Sequence, residues 1–116
     1  MKICFIMDSL HPVVEASAEG LAKRGNEVIL LSSTQVKEDA GTQQKNGVCR
    51  IKVYIEPSRY FEAWQTIFNP AATVVLFKLL REHQPNIIHF HGIHFYFSYA
   101  SIFFARRITK RIFFTF

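Results

Sequence analysis

The chain has 116 residues, 49% hydrophobic and 20% charged, which fits one compact domain with a single core; no repeat, low-complexity tract or linker marks a second. Its net charge of +5, from 14 Lys and Arg against 9 Asp and Glu, favours anionic partners such as phosphates, nucleotides or acidic lipid headgroups. With no helix-turn-helix, RNP-type aromatic motif or zinc-finger spacing beside that charge, nucleic acid is not among the expected partners.

Lys2 to Met7 is an apolar run ended by Asp8 and Ser9, the pattern of a parallel strand covered on both faces; Asp8 also cuts it too short for a signal-peptide core. After a turn at His11-Pro12, Val13 to Arg24 reads as a helix with Val14, Ala18, Leu21 and Ala22 on one side and Gly25 as its stop. Glu27 to Ser32 is a second buried strand. Ser33 to Gly47 is polar without apolar periodicity and is expected to be a loop.

Val48 to Ile55 alternates as a half-covered third strand, expected near the sheet edge. Arg59 to Phe68 carries Phe61, Trp64, Ile67 and Phe68 at helical spacing. Pro70 opens another helix, whose stripe is Ala72, Val75, Leu76, Leu79 and Leu80 and which ends near His83.

Asn86 to Phe90 is a fourth strand, His91 to His94 a loop, Phe95 to Arg107 a buried helix, and Arg111 to Phe116 a fifth strand. Pro85, Asn86, Gly92 and the histidines split the uncharged stretch between Glu82 and Arg106, so it does not read as a membrane span. Strands alternating with helices predict a three-layer α/β fold with a parallel sheet of about five strands in the order 3-2-1-4-5. Cys4 and Cys49 fall in strand-like apolar stretches, which predicts reduced, buried thiols in a cytoplasmic protein.

In such a sheet, ligands bind beyond the carboxyl ends of the strands where strand order reverses, here between strands one and four. That selects Asp8, Ser9 and His11 on one loop and His89, His91, Gly92 and His94 on the other. His89, His91 and His94 have metal-like spacing but no carboxylate or Cys to complete the set. His89 therefore reads as a half-buried strand residue bonded to backbone, and His91 and His94 as donors to hydroxyls or phosphate. Asp8 reads as a turn-ordering residue. No Gly-rich phosphate loop follows strand one, so neither a dinucleotide cofactor nor P-loop chemistry is expected, and no metal is assigned.

MKICFIMDSLHPVV, LAKRGNEVILLSS, LREHQPNIIHFHG and the terminal RIFFTF together resemble the N-terminal domain of glycosyltransferase family 4, over almost the whole chain. The resemblance implies a Rossmann-like sandwich that forms the acceptor side of a retaining, two-domain (GT-B) enzyme. Such an enzyme moves a sugar from a nucleotide-sugar donor to a sugar, lipid or inositol acceptor. By position, Ser9 and His11 match the loop after strand one, and His91, Gly92 and His94 match the acceptor-side loop. No residue is assigned a catalytic role: the donor-binding domain has no counterpart here, and the chain stops just before the position of a functional histidine that follows Phe114-Thr115-Phe116. The expectation is a truncated domain, inactive alone.

Glu15-Ala16-Ser17 stands where the family has a Gly-Gly pair, and a carboxylate there works against anion approach. A different reading is a non-catalytic module that forms a homodimer, or docks on a complementary C-terminal domain, through the apolar strand-five edge. A third is peripheral membrane contact through Tyr60 to Phe68 and the basic cluster Arg106, Arg107, Lys110 and Arg111.

Overall fold

The apolar runs become the centre of a sheet because residues covered on both faces need no polar alternation. The computed structural model describes residues 1–7, 12–34, 36–54, 70–91, 102 and 105–115. Its strands are β1 (Lys2–Met7), β2 (Glu27–Thr34), β3 (Gly41–Lys45), β4 (Val48–Tyr54), β5 (Ile87–His91) and β6 (Ile112–Thr115), with helices α1 (Pro12–Lys23) and α2 (Pro70–His83). The sheet order is β3-β4-β2-β1-β5-β6, parallel except for the antiparallel β3–β4 pair. The predicted order 3-2-1-4-5 is the run β4-β2-β1-β5-β6, and the fold is the expected Rossmann-like α/β arrangement.

Alternate side chains of the central strands enter two cores. Ile3, Phe5 and Met7 of β1 pack with Val28 and Leu30 of β2 under Val14 and Ala18 of α1. Cys4 and Ile6 go the other way, with Ile29, Leu31, Ile88 and Phe90, against Leu76 and Leu80 of α2 and against Ala105. Fully burying one such aliphatic side chain is worth roughly 1.5–3 kcal/mol, so the two clusters dominate the stability.

The helix ends follow from local chemistry. At the end of α1 the chain takes a left-handed turn at Gly25 (φ 93°). There the Gly25 N–H donates to Ala22 O at 3.1 Å and the Asn26 N–H to Leu21 O at 3.3 Å, the paired bonds that satisfy a helix's last carbonyls. α2 begins at Pro70, as predicted, and gives way at Gln84 (φ 49°) before Pro85. Its inward stripe is Thr73, Leu76 and Leu80 with Leu79 packed against the same core, as predicted for the three leucines; Val75, 39% exposed, is corrected to the outer side. At the far end of the sheet Ile102 and Ala105 are helical, and the chain turns through Arg106–Ile108 into β6. Asn86 ties the starts of β1 and β5, accepting from Lys2 N–H at 2.9 Å and donating its own N–H to Lys2 O at 2.8 Å.

The expected loop from Ser33 to Gly47 is corrected. β2 runs on to Thr34, Lys37–Asp39 forms a single 3-10 turn, and β3 pairs with β4 through a two-residue hairpin at Asn46-Gly47. Both hairpin residues have positive φ, 53° and 78°, which matches the right-handed twist of the flanking strands. Every residue of β3 is exposed, so the strand carries no apolar signal, and its polar Thr-Gln-Gln-Lys sequence protects the sheet edge. The third predicted strand, β4, accordingly sits one place in from that edge. The predicted helix from Arg59 to Phe68 and most of that from Phe95 to Arg107 lie outside the described residues. The strand β5 interrupts the uncharged stretch, and among the described residues no helix is long and apolar enough to cross a membrane.

Candidate functional site

β1 and β5 are neighbours, yet the chain leaves them on opposite sides. α1 carries it from β1 to β2 over one face, while Ile102 and Ala105, between β5 and β6, pack on the other. Their carboxyl ends therefore flank the crevice that such a reversal creates. In register, Met7 sits beside His91 on one side and Ser32 on the other, and Ser32 beside Lys52. This row lies on the α1 side of the sheet, because Phe5, Leu30 and Val48, two or four residues earlier on their strands, pack in the α1 core.

His91 ends β5 and is half-buried, with the imidazole of His89 on the same face. Their ring centroids are 6.1 Å apart and nearly perpendicular, and His89 lies 5.5 Å from the ring of Phe5. Burial, with the nearby His91 adding to it, lowers the His89 pKa below its ordinary 6.5, so this ring stays neutral at physiological pH. A neutral imidazole both donates and accepts a hydrogen bond. Of the sequence-selected residues, His89 and His91 lie in β5, which runs one residue further than expected and takes in His91 where a loop was predicted; Asp8, Ser9, His11, Gly92 and His94 lie outside the described residues. His89 and His91 share a face as their spacing requires, and among the described residues no group of three or more His, Cys, Asp or Glu is placed to hold a metal ion.

Glu15, in the first turn of α1, does not stand as a free charge beside the crevice. Arg50 of β4 pairs with it through Nη1 and with Glu19, one helical turn on, through Nη2 at 3.0 Å. The Arg50 side chain is 11% exposed, and its Nε is buried without a partner. Asn46 of the hairpin donates to Glu19 at 2.9 Å. That bond, with the positive charges of Arg50, Lys23 and Lys45 adding to it, lowers the Glu19 pKa despite an opposing desolvation. The expected penalty of Glu15 on anion approach is thus offset by Arg50. Sequence reasoning missed this cluster, whose only trace was an arginine on the same strand face as the buried Val48 and two glutamates four residues apart.

Of the cysteines, Cys4 is buried and Cys49 only half-buried, a correction to the expected burial of both. Burial pushes the thiol pKa of each upward, which keeps them protonated and slow to react at neutral pH.

The profile of Glycosyltransferase Family 4 matches residues 12–116. No curated protein matches significantly. Among solved structures, the chain is similar to GalB, the 4-carboxy-2-hydroxymuconate hydratase from Pseudomonas putida, at 11% identity and a TM-score of 0.48, over 93% of this chain and 55% of that one. The chain thus spans about half the length of that structure, and a likeness at this level carries no argument about activity.

Proposed function

Because the chain belongs to glycosyltransferase family 4, we propose that it is the acceptor-binding portion of a retaining glycosyltransferase. In the whole enzyme a sugar would pass from a nucleotide-sugar donor to a sugar, lipid or inositol acceptor. The observation that supports this most directly is the β1–β5 pairing, which sets His91 beside Met7 at the carboxyl ends of the two strands. In this reading the His91 imidazole hydrogen-bonds an acceptor hydroxyl, and Ser9, His11, Gly92 and His94 complete the acceptor wall. The donor nucleotide belongs to a partner domain, so these 116 residues bind acceptor and do not turn over donor.

The test is a transfer assay with UDP-, GDP- and ADP-sugars against a panel of monosaccharide, inositol and lipid acceptors. The purified chain is expected to release no nucleotide; turnover that disappears in His91→Ala would overturn the division of labour proposed.

A second reading is favoured by one observation. β6 edges the sheet among the described residues, and its Phe113 is 58% exposed. An apolar edge strand is a template for another chain, so here the chain would act as a docking or dimerising module. Sedimentation over a range of concentrations separates the two: concentration-dependent dimers abolished by Phe113→Glu support docking, and a monomer throughout rejects it.

A further inference from the structure

On the far side of the sheet from β6, the β3–β4 hairpin, the 3-10 turn and the first turn of α1 enclose a cavity of about 440 Å³. That is within the roughly 300–1,000 Å³ of ordinary small-molecule clefts. Gln43, Lys45, Arg50 and Lys52 line it together with Glu15, Asp39 and the turn at Ala40-Gly41. The register explains the convergence: Gln43 faces Arg50 and Gly41 faces Lys52, so Gln43, Arg50 and Lys52 share the face that carries α1.

The charges decide the class of ligand. Arg50 is committed to Glu15 and Glu19, and Lys45 acts on Glu19. That leaves the ammonium of Lys52, the carboxylate of Asp39 and the carboxamide of Gln43 as the groups free to meet a ligand. A phosphate or carboxylate needs a surplus of donors, and here, with Glu15 and Arg50 paired to each other, the remaining ammonium of Lys52 is matched by the carboxylate of Asp39 in the same wall. A hydroxyl donates and accepts at once, and a mixture of cationic donor, anionic acceptor and amide meets several hydroxyls on one ring. We infer that this cavity binds a neutral polyhydroxylated ring, a saccharide or cyclitol, at a site separate from the β1–β5 crevice. Lys52 is three strands from His91, about 14 Å at ordinary strand spacing, so one ring cannot occupy both. The inference rests on the cavity's own residues and holds whether or not the acceptor reading of His91 does.

The test is an amide NMR titration of the whole chain with glucose, galactose, N-acetylglucosamine and myo-inositol, each separately, and with inorganic phosphate. Saturable shifts at Ala40, Gly41 and Gln43 are expected with at least one of the four neutral rings. They should weaken about tenfold or more in Gln43→Ala and in Lys52→Met, the cost of one hydrogen bond to a charged or amide group. Gln43 is exposed on an edge strand, so its substitution does not threaten folding, and a dispersed spectrum checks this. His91→Ala is expected to leave the hairpin shifts in place, so failure here and failure of the acceptor reading appear on different amides. Silence with all four rings, shifts with phosphate alone, or shifts that survive both hairpin variants would overturn the inference.

Discussion

Replacing Arg50 separates the worth of its charge from that of its stem. The side chain is 11% exposed between β4 and α1, and two methylenes beyond Cβ go with truncation to alanine. At about 0.8 kcal/mol per buried methylene, Arg50→Ala loses about 1.6 kcal/mol of packing. The guanidinium contributes its pairing with the α1 carboxylates but leaves Nε buried without a partner, which costs on the order of 1–3 kcal/mol. The carboxylates that remain after substitution are about a third exposed and keep their hydration, so the large penalty of stranding a buried charge does not apply. Arg50→Met, which keeps an unbranched stem, is therefore expected to unfold in urea within about 1 kcal/mol of the parent, and Arg50→Ala about 1.6 kcal/mol below it. A methionine variant as damaged as the alanine variant would refute this reasoning and make the guanidinium indispensable.

Gly25→Ala places a Cβ at φ 93° with nothing within 4 Å of it, so its cost is conformational alone, about 1–2 kcal/mol in the same urea titration. The lowered pKa of His89 means that the unfolded chain takes up a proton before the folded one. Its stability contribution is complete above 6.5 and declines as pH falls through 6.5 toward the folded pKa; His89→Gln should flatten the stability–pH curve in that window. Native alkylation read by mass spectrometry should label half-buried Cys49 slowly and Cys4, 1% exposed, only after denaturant is added.

The parts legible in the sequence were those where one signal dominates. Unbroken apolar runs marked β1 and β2, Gly25 marked the end of α1, and Pro70 and Pro85 bracketed α2. With those in place, the right-handed crossover rule gave the order of the parallel strands. The strand β3 escaped because an edge strand exposed on both faces has no apolar period; the Asn46-Gly47 dipeptide was its one readable sign. The position of His91 near the carboxyl end of β5 was legible to within one residue, because strand ends at a reversal of order are fixed by topology. Arg50, Glu15 and Glu19 were not, since a contact between a strand and a helix 31 to 35 residues apart leaves no local pattern. Val75 misled because an apolar residue at helical spacing need not face inward, and the buried position near the start of α2 went to Thr73, a residue with no apolar signal.

The central claim, an acceptor-side domain centred on His91, is tested most directly by calorimetric titration of the chain and of His91→Ala. The ligands are a panel of sugar, inositol and lipid-headgroup acceptors and, separately, UDP-, GDP- and ADP-sugars. The account predicts saturable heat from an acceptor that is lost in His91→Ala, with none from the nucleotide sugars. Tight binding of a nucleotide sugar, or acceptor binding indifferent to His91, would contradict it.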